Sequence, residues 1–117
     1  MSQRMTKSMR LRRRAEFVRV QSTGRRVHGR HFVALVAPTV DPTTTVGRVG
    51  FTVTKRVGNA VTRNRIKRCA REWLRRHGWS PAGSDVVLVA KESAADQGGP
   101  ELGADLGRMM ARLAAGR

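Results

Sequence analysis

The sequence predicts a small α/β (α+β) fold in the order α-β-β-β-α-β-α, with a four-stranded sheet and helices on one face. Three observations carry that expectation. Two apolar runs of strand length, Phe32–Ala37 and Asp85–Ala90, are bounded by segments rich in proline or glycine. The segment Arg48–Lys55 alternates apolar side chains with small or polar ones, the period of a strand. Three further stretches, near the start, middle and end of the chain, repeat apolar residues at helical spacing. A chain of 117 residues fits one domain with a modest core, placed here at 11–117 behind a basic, flexible tail at 1–10.

The first helix is expected over Leu11–Thr23, where Leu11, Ala15, Val18 and Ser22 share one side and Phe17, Val20 and Gln21 adjoin it. Gly24 is a plausible C-cap. Val27–Arg30 reads as a short edge strand and Phe32–Ala37 as the next, stopped by Pro38 and the loop around Asp41 and Pro42. In Arg48–Lys55, Val49, Phe51 and Val53 point one way and Gly50, Thr52 and Thr54 the other. Asn59 is a natural N-cap for a helix running to about His77. On that helix Ile66, Cys69, Ala70, Trp73 and Leu74 form an apolar stripe, while Asn64, Arg68, Arg71 and Arg75 cluster opposite, flanked by Arg63, Arg65 and Lys67. Gly78 ends it, and Ser80–Gly83 is a loop. The continuous apolar run Asp85–Ala90 reads as a buried central strand. Glu101–Ala115 closes the chain as an amphipathic helix carrying Leu102, Leu106, Met109, Met110 and Leu113.

Charge narrows the function. The chain holds 24 Lys and Arg against 8 Asp and Glu, a formal charge of +16. Residues 1–77 contain 20 of the cations and only 3 of the acids, whereas 78–117 contain 4 and 5. The first two thirds therefore carry a surface for a polyanion, and the last third reads as neutral scaffold. No stretch approaches the ~20 apolar residues a membrane span needs, and no segment joins a basic face to bulky lipid-facing aromatics. Nucleic acid is the better partner. A lone cysteine, Cys69, with no secretory signal at the N-terminus points to the cytoplasm.

A protein-borne active site is hard to build from these residues. The carboxylates are scattered singly, without the pairing a two-metal nuclease needs. His28 and His31 read as surface histidines or incidental RNA contacts rather than metal ligands, and Cys69 as a packed thiol. The segment Gly47–Gly50 lacks the Lys-Ser/Thr ending of a phosphate loop. RNA binding has concrete parts, because guanidinium groups fork onto phosphates and stack on bases. Phe17 and Phe51 are either stacking platforms or core residues, and an apolar-face Phe is more often core. Trp73 belongs to the core stripe; Trp79, beyond the helix end, fits either role.

The block Arg63-Asn64-Arg65-Ile66-Lys67-Arg68, preceded by Lys55-Arg56-Val57-Gly58-Asn59-Ala60-Val61, resembles the signature of the bacterial ribonuclease P protein component. The helix with Phe17 and Gly24, the strand from Phe32, the Arg48-Val49-Gly50 strand opening and the apolar Asp85–Lys91 strand follow the family's order, so the resemblance runs from about Leu11 to Leu113. It implies a two-layer sandwich with a left-handed crossover around the Arg-rich helix. It also implies a ribonucleoprotein endoribonuclease that removes the 5′ leader from precursor tRNA. In that enzyme the catalytic RNA carries the chemistry with Mg2+, and the protein contributes no catalytic residue. By the resemblance, Arg63, Asn64, Arg65, Lys67, Arg68 and Arg71 face the catalytic RNA, and Phe17, Phe51, Lys55 and Arg56 bind the leader. The implied partners are the catalytic RNA and precursor tRNA, with no membrane and no obligate protein partner.

Two positions depart from the family. Gln21 stands where a second aromatic is common one helical turn after Phe17, and Leu35 where the second strand often has an aromatic. The leader cleft should therefore stack less and rely more on Arg, Lys and hydrogen bonds. The competing class, a non-enzymatic RNA-binding protein of the same fold such as a ribosomal protein, shares the charge and the helix pattern. The Arg63–Arg68 block after Gly58-Asn59 argues against it.

Overall fold

A computed structural model describes residues 14–23, 25–38, 48–77 and 83–115. The basic tail, the Gly24 cap, the loop around Asp41, the stop at Gly78 and Trp79 lie outside them. The elements are α1 (Arg14–Thr23), β1 (Arg25–His28), β2 (Phe32–Pro38), β3 (Arg48–Thr52), α2 (Ala60–His77), β4 (Ser84–Ala90), a 3-10 turn (Glu92–Asp96) and α3 (Gly99–Ala115). The α-β-β-β-α-β-α order is the expected one, with the 3-10 turn added. The four strands lie in the order β1-β2-β4-β3. β2 pairs antiparallel with β1 and β4, and β3 runs parallel to β4, so α2 is the crossover between two parallel neighbours.

Helices do not all lie on one face. On one side of the sheet Phe32, Ala34, Val49, Val86, Leu88 and Ala90 pack with Ile66, Ala70 and Leu74 of α2 and Leu102, Leu106, Met109, Met110 and Leu113 of α3. On the other side Leu35, Ala37 and Val87 pack with Val20 of α1, joined by Phe17, Val33 and Val89. The sequence contains the reason. β2 and the Val86–Ala90 stretch of β4 are apolar at consecutive positions rather than at alternate ones, and such a strand needs cover on both faces. Supplying that second cover is the role of α1.

Two polar networks fasten these layers. On the α1 side, Asp85 is fully buried and accepts from Arg48 at 2.9 and 3.2 Å and also from Arg19, while Glu16 pairs with Arg48. Arg19 further donates to the Pro38 carbonyl at 3.0 Å. Asp85 in turn raises the Arg48 pKa above its ordinary value through their hydrogen bond. On the other side, the Asp105 carboxylate of α3 accepts the backbone N–H groups of Arg30 and His31, each at 2.8 Å. His31 is not a surface histidine. It is buried, with Nδ1 2.9 Å from Ser93 Oγ, and it pins the β1–β2 turn to the 3-10 turn.

Candidate nucleic-acid interface

Helix α2 starts as its sequence dictates: Asn59 Oδ1 accepts the Thr62 N–H at 2.9 Å, and the Asn59 carbonyl accepts that of Arg63. With Ile66, Ala70 and Leu74 turned inward, Asn64, Arg68 and Arg71 are fixed on the exposed side, with Lys67 half-buried beside them. These four side chains make one face available to an RNA backbone. Arg63 flanks them, half-buried, and its buried Nε has no hydrogen-bond partner among the described residues.

Arg65 is placed differently from its neighbours. Its guanidinium reaches across to the 3-10 turn, donating to the Gln97 carbonyl at 2.7 Å and the Ala95 carbonyl at 3.0 Å. Those acceptors lie just before α3, so Arg65 ties the basic helix to the start of the last one. Trp73, expected in the core, is half-buried instead. Its ring lies across the α3 backbone at Gly103, where a Cβ would come within 2.9 Å of Trp73 Cδ1, and stacks on His77 with centroids 4.1 Å apart. Cys69 lines the same interhelical groove and is also half-buried.

The expected leader residues do not form one cluster. Strand alternation sends Phe51 to the α2 side with Val49 and Val53, where Arg71 lies over its ring at 5.4 Å. Phe17 packs on the opposite side of the sheet. A leader held by Phe17 cannot also stack on Phe51, and what the strand presents to Phe17's side is Gly50 and Thr52.

On that side α1 crosses the strands near one end, from Arg48 of β3 to Asp85 and Pro38 of β4 and β2. It buries Gly50, Val87 and Leu35 and leaves the next row, Thr52, Val89 and Val33, half-exposed. The result is a shelf beside α1, with half-buried Phe17 on its wall and exposed Gln21 one turn further along. Lys55 and Arg56 stand at the β3 end of the shelf, both exposed, and Arg56 is 3.5 Å from Glu92. The half-open shelf was not readable from single positions, because Thr52, Val33 and Val89 look like ordinary strand residues. Its signal is the short α1, ten residues over strands of up to seven.

Among the described residues no three His, Cys, Asp or Glu side chains gather where a metal ion could sit. No described helix is long and apolar enough to cross a membrane.

The chain matches known proteins over most of its length. The profile of the Ribonuclease P family matches residues 5–114. The Ribonuclease P protein component of Desulfatibacillum aliphaticivorans is 42% identical over 112 residues, covering 95% of this chain and 92% of that protein. A Staphylococcus aureus RNase P protein structure superposes with a TM-score of 0.81 at 30% identity, covering 90% of this chain and 94% of the other. The Thermotoga maritima RNase P protein gives a TM-score of 0.76 at 27% identity over 88% of this chain and 96% of that one.

Proposed function

Because this chain belongs to the ribonuclease P protein family, and is a subunit of the holoenzyme that processes tRNA, we propose a division of labour between its two sides. The α2 face binds the catalytic RNA through Asn64, Lys67, Arg68 and Arg71, with half-buried Arg63 flanking them. The shelf beside α1 binds the single-stranded 5′ leader of precursor tRNA, with Phe17 as stacking wall and Lys55 and Arg56 as phosphate contacts. The single observation that carries this reading is the half-open row Thr52–Val89–Val33 next to Phe17. It is a half-exposed strip beside the Phe17 ring with exposed Lys55 and Arg56 at its β3 end.

The RNA carries the hydrolytic chemistry and holds the Mg2+ that chemistry uses. The carboxylates, scattered singly along the sequence, support this. The chain's own residues bind, orient and offset charge. Bringing RNA and precursor together opposes two polyanions, and a +16 subunit between them lowers that repulsion. Working in the cytoplasm fits the lone Cys69, and no other protein subunit is required by this scheme.

The test is cleavage of precursor tRNA at low magnesium by the protein, by a bacterial ribonuclease P RNA and by the two together. Only the mixture should cut efficiently. Magnesium-dependent cleavage by RNA-free protein would overturn the assignment.

A further inference from the structure

The shelf does not stop at β2. On the α1 side Thr52 is opposite Val89, Val89 opposite Val33, and Val33 opposite His28 of β1. These four side chains form one line across the whole sheet, three inter-strand spacings or roughly 14 Å long. Lys55 and Arg56 mark its β3 end. At its β1 end is a second concentration of cations.

Residues 78–117 contain only 4 basic side chains, and Lys91, Arg108 and Arg112 all come to the turn after His28. Lys91 Nζ donates to the Gly29 carbonyl at 2.7 Å, and Arg112 donates to the His28 carbonyl. Arg108 Nη2 is 3.3 Å from Asp105, the carboxylate that holds the Arg30 and His31 N–H groups. Arg30 is exposed on the same turn, and exposed Arg26 lies on the α1 side of β1. On the α3 side of this edge is a depression of about 520 Å3 lined by His28, Gly29, Arg30, Asp105, Arg108 and Arg112. The acids here, Asp105 and Glu101, number fewer than the cations, and Asp105 is buried and already accepts from three residues. Cations on an edge strand also deter edge-to-edge pairing. That purpose explains charge on β1 itself; Lys91, Arg108 and Arg112 are drawn from elsewhere in the chain by the turn's carbonyls and by Asp105, which concentrates their charge at the same corner.

We propose that this corner binds the phosphate backbone of the distal leader, the nucleotides beyond those lying on the shelf. The inference rests on the shelf being the leader track. The scissile bond must lie near the catalytic RNA and hence near α2, whose N-terminus follows Lys55 and Arg56 directly. The leader therefore enters at the β3 end and leaves over His28, where it meets Arg30 on the turn and then, round the β1 edge, Arg108 and Arg112 of α3.

The experiment compares two precursor tRNAs in the reconstituted holoenzyme, one with a leader too short to cross the roughly 14 Å row and one long enough to pass His28. With Arg26→Ala and Arg30→Ala combined, affinity for the long-leader precursor should fall about tenfold, and its salt slope should flatten by about one unit per lost contact. Affinity for the short-leader precursor and for the catalytic RNA should not change. Equal losses on both precursors, a loss of affinity for the catalytic RNA, or no loss at all would each overturn the proposal. If Phe17→Leu also leaves long-leader affinity intact, it is the shelf reading that fails. A melt of the double variant verifies folding, and Arg30→Gln alone carries the same comparison if the double variant melts early.

Discussion

Arg65 of the basic helix donates to the Gln97 carbonyl at 2.7 Å, whereas Arg68 and Arg71 of the same helix are exposed. With the second bond to Ala95, one guanidinium satisfies two carbonyls at the end of the 3-10 turn. Arg65→Ala should leave those acceptors without their charged donor and lower stability by about 2 kcal/mol. Arg68 is exposed, so Arg68→Ala should leave the melting temperature within error while weakening binding to the catalytic RNA. Loss of a direct phosphate contact flattens the salt dependence by about one unit, so Arg68→Ala should flatten it and Arg65→Ala should not. Thermal melts with salt-dependent binding would check both, and an unaltered melting temperature for Arg65→Ala would refute its structural role.

Sequence periodicity revealed most of this architecture. Apolar stripes located α2 and α3, and the run Asp85–Ala90 is a central strand with every residue but Val89 buried. Periodicity did not say that α1 covers the opposite face, although the two-sided apolarity of β2 and β4 implied it. Helical projection placed Arg65 beside the basic face but could not show that an arginine is long enough to reach Gln97 in another element. Parity did separate Phe51 from Thr52 at the sequence level. Only the position of α1 decided which of those two faces the shelf.

The buried Asp105 makes stability depend on acid. Burial alone would push its carboxyl up, but the His31 and Arg30 N–H groups, with Arg108, outweigh it and hold the pKa below the ordinary carboxylate value. A depressed folded-state pKa contributes stability that is fully present above the unfolded value, about 3.9, and is lost as pH falls through the folded one. Melts from neutral pH into that range should show a falling transition. Asp105→Asn should cost about 1–3 kcal/mol at neutral pH by leaving donors unpaired. Its deficit should shrink as pH falls through the folded pKa; a deficit independent of pH would refute the assignment.

Phe51 should behave as a packing residue. Its ring is half-buried in the α2-side core beneath Arg71. Phe51→Leu is expected to lower stability by about 1 kcal/mol through lost packing and cation–π contact, with precursor and mature tRNA affected alike. Selective loss of precursor affinity at unchanged stability would return Phe51 to the leader site.

Phe17 is the ring on the shelf side, half-buried against Val33 and Val89, and Gln21 occupies the next turn without one. A stacked base is worth roughly 1–3 kcal/mol, so Phe17→Leu should reduce precursor affinity by about fivefold to a hundredfold while mature tRNA, which lacks a leader, binds as before. Gln21 is exposed, so Gln21→Phe adds a ring without disturbing the core and should strengthen precursor binding selectively. The competing explanation is that Phe17 only anchors α1. Leu at that position would then lower the melting temperature and weaken both ligands equally, and Gln21→Phe would change neither. Paired affinities for precursor and mature tRNA, taken with melts of both variants, separate the two. Equal losses would remove Phe17 from the leader site while leaving the exposed cations of α2 as the catalytic-RNA face.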